Sequence, residues 1–338
     1  MKKLTLSKLN DFFAAIAANK ELYIPTDDES GKAKFALWQE GMELTNQLNT
    51  VRSAKDLFFP QVEQMVDFKV NGKGVEIIEN RHSAEDFVLF GVKACDLRGF
   101  EILDKVFLSD PVDTFYKERR DHGIIVTLAC GEPEETCFCH NFGIDAANPM
   151  GDVTAWKSDD SLYLRANTEK GEALLAALNL EDCDEAVVNE LQKNARAIIE
   201  KLPINLNLDG FDGEHLMEKF NDPAWAELSE ACLGCGTCTF VCPTCQCYDV
   251  RDFDKGGSVQ RYRCWDSCMY SDFTMMAHGT NRPTQKERFR QRFMHKLVYF
   301  PSNNDGVYGC VGCGRCLQKC PINMNIVKVA KKLGEGTK

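Results

Sequence analysis

Two stretches in the last third of the chain share one cysteine spacing. They read Cys232-Leu-Gly-Cys235-Gly-Thr-Cys238-Thr-Phe-Val-Cys242-Pro243 and Cys310-Val-Gly-Cys313-Gly-Arg-Cys316-Leu-Gln-Lys-Cys320-Pro321. The two-residue gaps contain glycine, which lets the backbone wind closely enough for three thiolates to converge, and the proline fixes the exit of the fourth cysteine. This C-x2-C-x2-C-x3-C-P spacing is the bacterial ferredoxin pattern for [4Fe-4S] clusters.

In two-cluster ferredoxins the fourth cysteine of each run ligates the other cluster. The first predicted quartet of ligands is therefore Cys232, Cys235, Cys238 and Cys320, and the second quartet is Cys310, Cys313, Cys316 and Cys242. Zinc is the alternative, because two C-x2-C pairs can form a tetrahedral four-cysteine site. Eight cysteines in two matching runs exceed that requirement, so the spacing favours iron–sulfur clusters.

The cysteines also divide the chain of 338 residues. None of the 17 lies in the first 94 residues, and 12 lie between Cys232 and Cys320. This change in composition predicts an α/β domain over residues 1–220 and a ferredoxin domain over 221–338. The insert of 67 residues between the two runs, 243–309, is predicted to be helical. The fold class is thus an α/β N-terminal domain plus an α-helical ferredoxin domain with two [4Fe-4S] clusters.

A further group of cysteines follows two predicted strands of the N-terminal part. The apolar runs 87–92 and 124–128 have the length of buried strands, and the helical spacing between them indicates a β-α-β unit with parallel strands. Ligands of open α/β sheets bind at the carboxyl ends of such strands. The third quartet consists of Cys95, Cys130, Cys137 and Cys139. A third [4Fe-4S] cluster, a zinc site and buried structural thiols all fit this arrangement.

The remaining cysteines and a basic segment receive weaker predictions. Cys245, Cys247, Cys264 and Cys268 are expected to pack beside the clusters, with a further metal site as the alternative, and Cys183 is unassigned. A basic stripe runs through 282–296 and comprises Arg282, Lys286, Arg288, Arg290, Arg292, His295 and Lys296. It is interpreted as a solvated helix face, as stabilisation of anionic clusters, or as a docking site for a negatively charged partner. Arg315 is expected to add positive charge beside the second cluster.

Composition and missing motifs narrow the function. The net charge of −11 disfavours nucleic-acid binding, and no apolar run is suited to crossing a membrane. An odd number of free thiols without an export signal favours a reducing cytoplasm. The sequence contains neither G-x-G-x-x-G nor a P-loop, so no FAD or NAD(P) is expected on this chain. The sequence therefore predicts a non-catalytic electron-transfer protein.

Residues outside the two runs carry a family resemblance between about 88 and 325. The chain resembles the iron–sulfur beta subunit of cytoplasmic sulfhydrogenases and the related iron–sulfur subunit of anaerobic sulfite reductase. The matching segments are Phe90-Gly-Val-Lys-Ala-Cys95-Asp, Tyr116-Lys-Glu-Arg-Arg120, Cys137-Phe-Cys139, Pro223-Ala-Trp225, Cys242-Pro-Thr-Cys245-Gln-Cys247-Tyr248, Trp265-Asp-Ser-Cys268, Arg282-Pro-Thr and the run from Cys310 to Cys316. The segments around 263–292 are closer to the sulfhydrogenase branch.

The resemblance implies an electron relay in a soluble complex. It implies an FAD- and NAD(P)H-binding subunit on one side of the relay and the terminal catalytic subunit of a NiFe hydrogenase on the other. The iron–sulfur subunit of a sirohaem anaerobic sulfite reductase and a subunit of a heterodisulfide-reductase-linked NADH complex are alternatives. A self-contained flavin-binding iron–sulfur reductase is a further alternative. Because the third quartet matches family cysteines, the resemblance also favours a third [4Fe-4S] cluster.

Overall fold

A computed structural model describes residues 1–79 and 84–334, so the last four residues of the predicted C-terminal domain lie outside the described part. The strands are β1 Lys2–Thr5, β2 Glu21–Asp27, β3 Ala33–Leu37, β4 Val62–Asn71, β5 Gly74–Glu79, β6 Phe87–Val92, β7 Gly123–Leu128, β8 Val153–Lys157, β9 Ser161–Ala166, β10 Glu181–Asp182, β11 Tyr248–Asp254, β12 Ser258–Trp265, β13 Met275–Met276 and β14 Gly279–Thr280.

The helices complete the inventory. They are α1 Leu9–Ala17, α2 Ala94–Phe107, α3 Thr114–His122, α4 Glu169–Ala176, α5 Ala186–Ile199, α6 Leu216–Asn221, α7 Ala224–Glu230, α8 Thr237–Phe240, α9 Gln285–Met294, α10 Phe300–Asn303, α11 Arg315–Lys319 and α12 Ile326–Gly334. A π-helical turn, His295–Tyr299, joins α9 to α10. None of the helices in the described residues is long and apolar enough to cross a membrane.

The main sheet of the N-terminal part has eight strands in the order β10-β1-β9-β8-β7-β6-β2-β3. The central strands β8, β7, β6 and β2 are parallel, and the outer pairs are antiparallel. The predicted β-α-β unit is therefore confirmed as β6-α2-β7. Its parallel strands end at one edge of the sheet, which places residues 93–95 and 129–130 near one another.

Strand β6 shows why a continuous apolar run forms a central strand. All six of its residues are buried. Val88 and Phe90 pack with Phe13 of α1 on one face of the sheet. Phe87 and Leu89 pack in a core with residues of α2 on the other face. Because helices cover both faces, both sets of alternating side chains must be apolar.

A second sheet connects distant parts of the sequence. Its order is β11-β12-β4-β5, and all of its pairings are antiparallel. Arg263 on β12 donates a buried hydrogen bond of 2.5 Å to Glu63 on β4, 200 residues away in sequence. Trp265 Nε1 donates to the carbonyl of Phe59 at 3.1 Å. The insert 243–309 is thus helical only in its second half, and the prediction of a helical insert is wrong for the hairpin of β11 and β12.

The helical segments around the cysteine runs share one apolar core. Phe289 and Phe293 of α9, Leu297 of the π-helical turn and Trp225 of α7 are all buried in it. Residues of α12 complete this core, and several cysteines of the two runs pack against its edge. The cysteine runs therefore lie on an ordered apolar support.

Candidate iron–sulfur centres

The four thiols of the first quartet line one cavity. Cys232, Cys235 and Cys238 come from the first winding, residues 232–243, and Cys320 comes from the end of the second winding, residues 310–321. Apolar side chains, including Met269 and Phe293, complete the wall. The structure therefore brings together the set that the crossed exchange of fourth cysteines predicts.

The four thiols of the second quartet line a separate cavity. Cys310, Cys313 and Cys316 belong to the second winding, and Cys242 reaches across from the first. Phe138, from the segment that carries the third quartet, is part of the same wall. Each winding thus contributes three thiols to one cavity and its last cysteine to the other.

The third quartet lies in the N-terminal part, against the second winding. Its four cysteines are all buried in one core that also contains Cys313. The thiols of Cys137 and Cys139 are close enough to Cys130 to interact electrostatically, and Cys95 interacts with Cys139 and Cys313. The sequence prediction that these four residues meet at the sheet edge agrees with this placement.

Glycine conformation shows how tightly the second winding fits the third quartet. Gly312 has a φ of +61°, and a Cβ there would lie 2.5 Å from the backbone of Phe138 and Cys139. The carbonyl of Gly312 accepts a hydrogen bond of 2.9 Å from the Phe138 amide. A Cβ on Gly314 would likewise lie 2.7 Å from the carbonyl oxygen of Thr136. These glycines are required, because any side chain would separate the two segments.

The first winding lies at the surface. Cys235 is exposed, whereas every other cysteine is buried or half-buried. Leu233 beside it is 66% exposed. The nearest atoms to a Cβ on Gly234 would all belong to the side-chain amide of Gln285, with its oxygen at 2.8 Å. The Tyr270 hydroxyl donates to the Cys235 carbonyl at 3.3 Å. One edge of the first cavity therefore faces solvent.

The donor chemistry of all three quartets fits [4Fe-4S] clusters. Each quartet offers four cysteine sulfurs, the ligand set such clusters use. Among the described residues, no three His, Cys, Asp or Glu side chains are grouped closely enough to hold a single metal ion. The four thiolates on a cube are spaced more widely than those around one ion.

Burial keeps most of these thiols protonated in the absence of a cofactor. It raises the pKa of Cys137 to about 11 and the pKa values of Cys139 and Cys310 to about 12. The hydrogen bond with Thr237 instead lowers the pKa of the more exposed Cys235. Since iron binds thiolate, loading the buried sites must release protons and bring compensating positive charge.

The predicted basic stripe separates into two fully buried members and others that are half-buried or exposed. Arg292 and Lys296 are buried and line the cysteine cavities. Lys296 Nζ donates to Thr244 Oγ1 at 2.6 Å and to the Gly309 carbonyl at 3.0 Å. Arg290 instead lies 3.6 Å from the ring centre of Phe220. The interpretation as a solvated face therefore does not hold for Arg292 and Lys296.

Arg315 has a partner that the sequence did not reveal. Its guanidinium donates to both carboxylate oxygens of Asp96, at 2.5 Å and 2.7 Å, and both side chains are 1% exposed. It also donates to the Thr50 carbonyl at 2.8 Å. The positive charge expected beside the second cluster is thus balanced by a carboxylate. The position of Asp96 directly after Cys95 was the available signal for this pair.

Three cysteines outside the quartets lie beside the first winding. Cys245 contacts Cys242, and Cys247 contacts Cys268. Lys55 Nζ donates to the Cys245 carbonyl at 2.7 Å and lies 3.8 Å from the ring centre of Trp265. Sequence reasoning missed Lys55, since no motif surrounds it. Cys264 lies on β12 opposite Asp249, and Cys183 lies near the N-terminus, so neither joins this group.

Comparisons with known proteins agree with this geometry. The profile of the 4Fe-4S dicluster domain family matches residues 231–324, which include all eight cysteines of the two windings. Sulfhydrogenase 2 subunit beta of Pyrococcus furiosus is 38% identical over 256 residues, covering 74% of this chain and 75% of the relative. No solved structure matches the chain significantly. The predicted resemblance is confirmed: the chain belongs to the sulfhydrogenase beta-subunit family.

Proposed function

We propose that this chain is the iron–sulfur electron-transfer subunit of a multisubunit oxidoreductase. The observation that carries the proposal is the adjacency of the three quartets. The first and second quartets exchange Cys242 and Cys320 between their cavities. The second and third quartets meet where Gly312 lies against Phe138. This series of thiol sites runs from the exposed Cys235 to the edge of the main sheet.

Each quartet would hold one [4Fe-4S] cluster, giving two clusters in the C-terminal part and a third in the N-terminal part. The clusters supply one-electron redox chemistry when bound. The chain supplies thiolates, orients them through the glycine windings and excludes water with apolar side chains such as Phe138 and Phe293. Backbone amides and buried cations near the thiols would tune the reduction potentials of the bound clusters.

Family membership supports a proposal for the partners. The relative's name describes one subunit of a sulfhydrogenase. For this chain we infer an FAD- and NAD(P)H-binding subunit on one side and a terminal NiFe hydrogenase subunit on the other, with no FAD or NAD(P) on the chain itself. A sirohaem sulfite reductase or a heterodisulfide-reductase-linked NADH complex would use the same relay with another terminal subunit. A self-contained reductase would require flavin on this chain.

Metal, sulfide and flavin content test the proposal directly. The full chain is purified anaerobically, and iron, acid-labile sulfide, zinc and released flavin are counted per chain. About 12 iron atoms would support three clusters, and about eight would limit clusters to the two windings. Zinc without iron would overturn the relay, and stoichiometric flavin would favour the self-contained reductase.

A relay must also carry electrons between partners. Affinity purification of the tagged chain from its own cells, under anaerobic conditions, should recover a flavin-containing subunit together with a nickel- or sirohaem-containing subunit. Nickel in the purified complex would support the hydrogenase, and sirohaem would support the sulfite reductase alternative. A pure chain that reduces substrate alone with NAD(P)H would contradict the relay role.

A further inference from the structure

One buried cation lies between the first and second cavities. Arg292 is a wall residue of both, whereas Lys296 lines only the second. The Arg292 side chain is 2% exposed. Its Nη2 donates to the carbonyl of Cys238, a member of the first quartet, at 2.9 Å. Arg292 is therefore in contact with the first winding while it also borders the second quartet.

Apart from the ring of Phe293, whose centre lies 4.7 Å from Cζ of Arg292, the rest of the guanidinium lacks partners among the described residues. Nε and Nη1 of Arg292 are buried and have no hydrogen-bond acceptor among the described residues. No described carboxylate lies within ion-pair distance of it, in contrast to Arg315, which has Asp96. Removing a cation from water without a counter-charge costs several kcal/mol. The negative charge that balances Arg292 must therefore come from what the two cavities contain.

Helix geometry fixes Arg292 and Lys296 on the same side. Arg292 is in the last turn of α9 and Lys296 is in the π-helical turn that continues it, and both side chains line the second cavity. The neighbouring Phe289 and Phe293 are buried in the core that supports the windings, so α9 cannot rotate to expose Arg292. Arg290, on the same helix, points elsewhere and donates to the Phe220 carbonyl at 3.2 Å.

We propose that Arg292 is the shared counter-charge of the first and second clusters and raises the reduction potentials of both. The inference rests on the proposed ligation by the two quartets. Reduction adds one negative charge to a cluster that is already anionic. A fixed cation in a buried, low-dielectric position stabilises the reduced form, and nearby charge is one determinant of cluster potential. Because one guanidinium borders both sites, its loss affects the two potentials together.

Three variants of the full chain, loaded with clusters under anaerobic conditions, distinguish this role from a non-specific disturbance of the structure. R292Q removes the shared cation, K296Q removes a cation that borders only the second cavity, and R290Q is the matched control on α9. Potentials are read by redox titration monitored by electron paramagnetic resonance. R292Q should lower the equilibrium constant for reduction about tenfold at two signals, which is 59 mV for a one-electron couple. K296Q should lower one signal only, and R290Q neither.

The outcomes distinguish the inference from the proposed function. Absence of cluster signals in the wild-type chain would defeat the proposed function. Wild-type signals that R292Q leaves unchanged, or a shift of one signal only in R292Q, would overturn the role of Arg292. If R292Q loads less iron, R292K is measured next, because lysine keeps the positive charge but lacks the planar guanidinium. Full iron in R292K supports the counter-charge, and iron loss that R292K does not restore overturns it.

Discussion

The first and second windings have the same cysteine spacing but different surroundings. In the first winding, Cys235 is exposed and Gly234 faces the end of a flexible glutamine side chain. In the second, Cys313 is buried and Gly312 faces backbone atoms of Phe138 and Cys139. Equal spacing therefore specifies equal ligand sets. How well each winding tolerates substitution depends on the segments that pack against it, and these are far away in sequence.

The largest expected contrast comes from the glycines. G312A should cost more than about 4 kcal/mol, because a Cβ would overlap backbone that cannot move aside and alanine disfavours the positive φ. G234A should cost about 1–2 kcal/mol, mainly for the left-handed backbone, since Gln285 can change its conformation. Thermal unfolding and iron content of the two purified variants measure the difference. Equal losses would show that the two windings are equally constrained.

The buried ion pair of the second winding gives the next effect. D96N leaves the Arg315 guanidinium without its counter-charge, which should destabilise the protein by about 3–5 kcal/mol in denaturant unfolding. The double variant D96L/R315M removes both charges and should recover most of that loss. A double variant no more stable than D96N would show that the pair's hydrogen bonds to Thr50, rather than its charge balance, hold the winding.

Acid should lower the unfolding free energy of the protein through His295, which lies on the π-helical turn beside the second winding. Burial, followed by the charges of Lys296 and Arg282, lowers the pKa of His295 from 6.5 to about 4. The unfolded chain therefore takes up this proton below pH 6.5, whereas the folded chain does not. Stability should fall as the pH drops from 6.5 to 4, by about 1.4 kcal/mol per unit and about 3 kcal/mol in total.

The comparison of wild type with H295F isolates this contribution. The unfolding free energy should fall less between pH 7 and pH 5.5 in H295F than in the wild type. The fall that remains in H295F comes from groups that both proteins share. His295 packs against Phe300, and Phe300 lies in the core that contains Cys313. A pH dependence that survives unchanged in H295F would assign acid sensitivity to other groups.

The smallest effect is expected at the first winding. Y270F removes the hydrogen bond of 3.3 Å from the tyrosine hydroxyl to the Cys235 carbonyl. At this partly exposed position water can replace the donor, so the loss should be about 0.5–1.5 kcal/mol with unchanged iron content. Chemical denaturation of the loaded protein measures it. If Y270F instead lost four iron atoms per chain, the first winding would be as intolerant of change as we expect the second to be.

Local patterns were sufficient for several parts of the structure. The continuous apolar run Phe87–Val92 predicted strand β6, and the helical spacing after it predicted α2. The cysteine spacing predicted which thiols would share each cavity of the C-terminal part. In these cases the deciding interactions are either within one segment or imposed by the geometry of one ligand set.

Long-range partners could not be predicted in the same way. The hairpin of β11 and β12 was missed because charged residues such as Arg251 and Asp252 obscure its alternation, although Gly256-Gly257 is a turn signal. Its pairing with β4 depends on a strand 200 residues away. The Asp96–Arg315 pair spans 219 residues. No periodicity encodes such a contact, so the sequence predicted the positive charge of Arg315 beside the second cluster but not its carboxylate partner.

The second sheet also constrains when parts of the protein can fold during synthesis. Strand β4 leaves the ribosome long before β12, its neighbour on one side. Until residue 265 has been synthesised, that edge of β4 has unpaired backbone groups, and open edges promote association with other chains. The segment that contains Cys137 and Cys139 likewise cannot complete its packing until Gly312 has been synthesised. Prematurely terminated chains should therefore aggregate, and cofactor delivery should follow translation rather than accompany it.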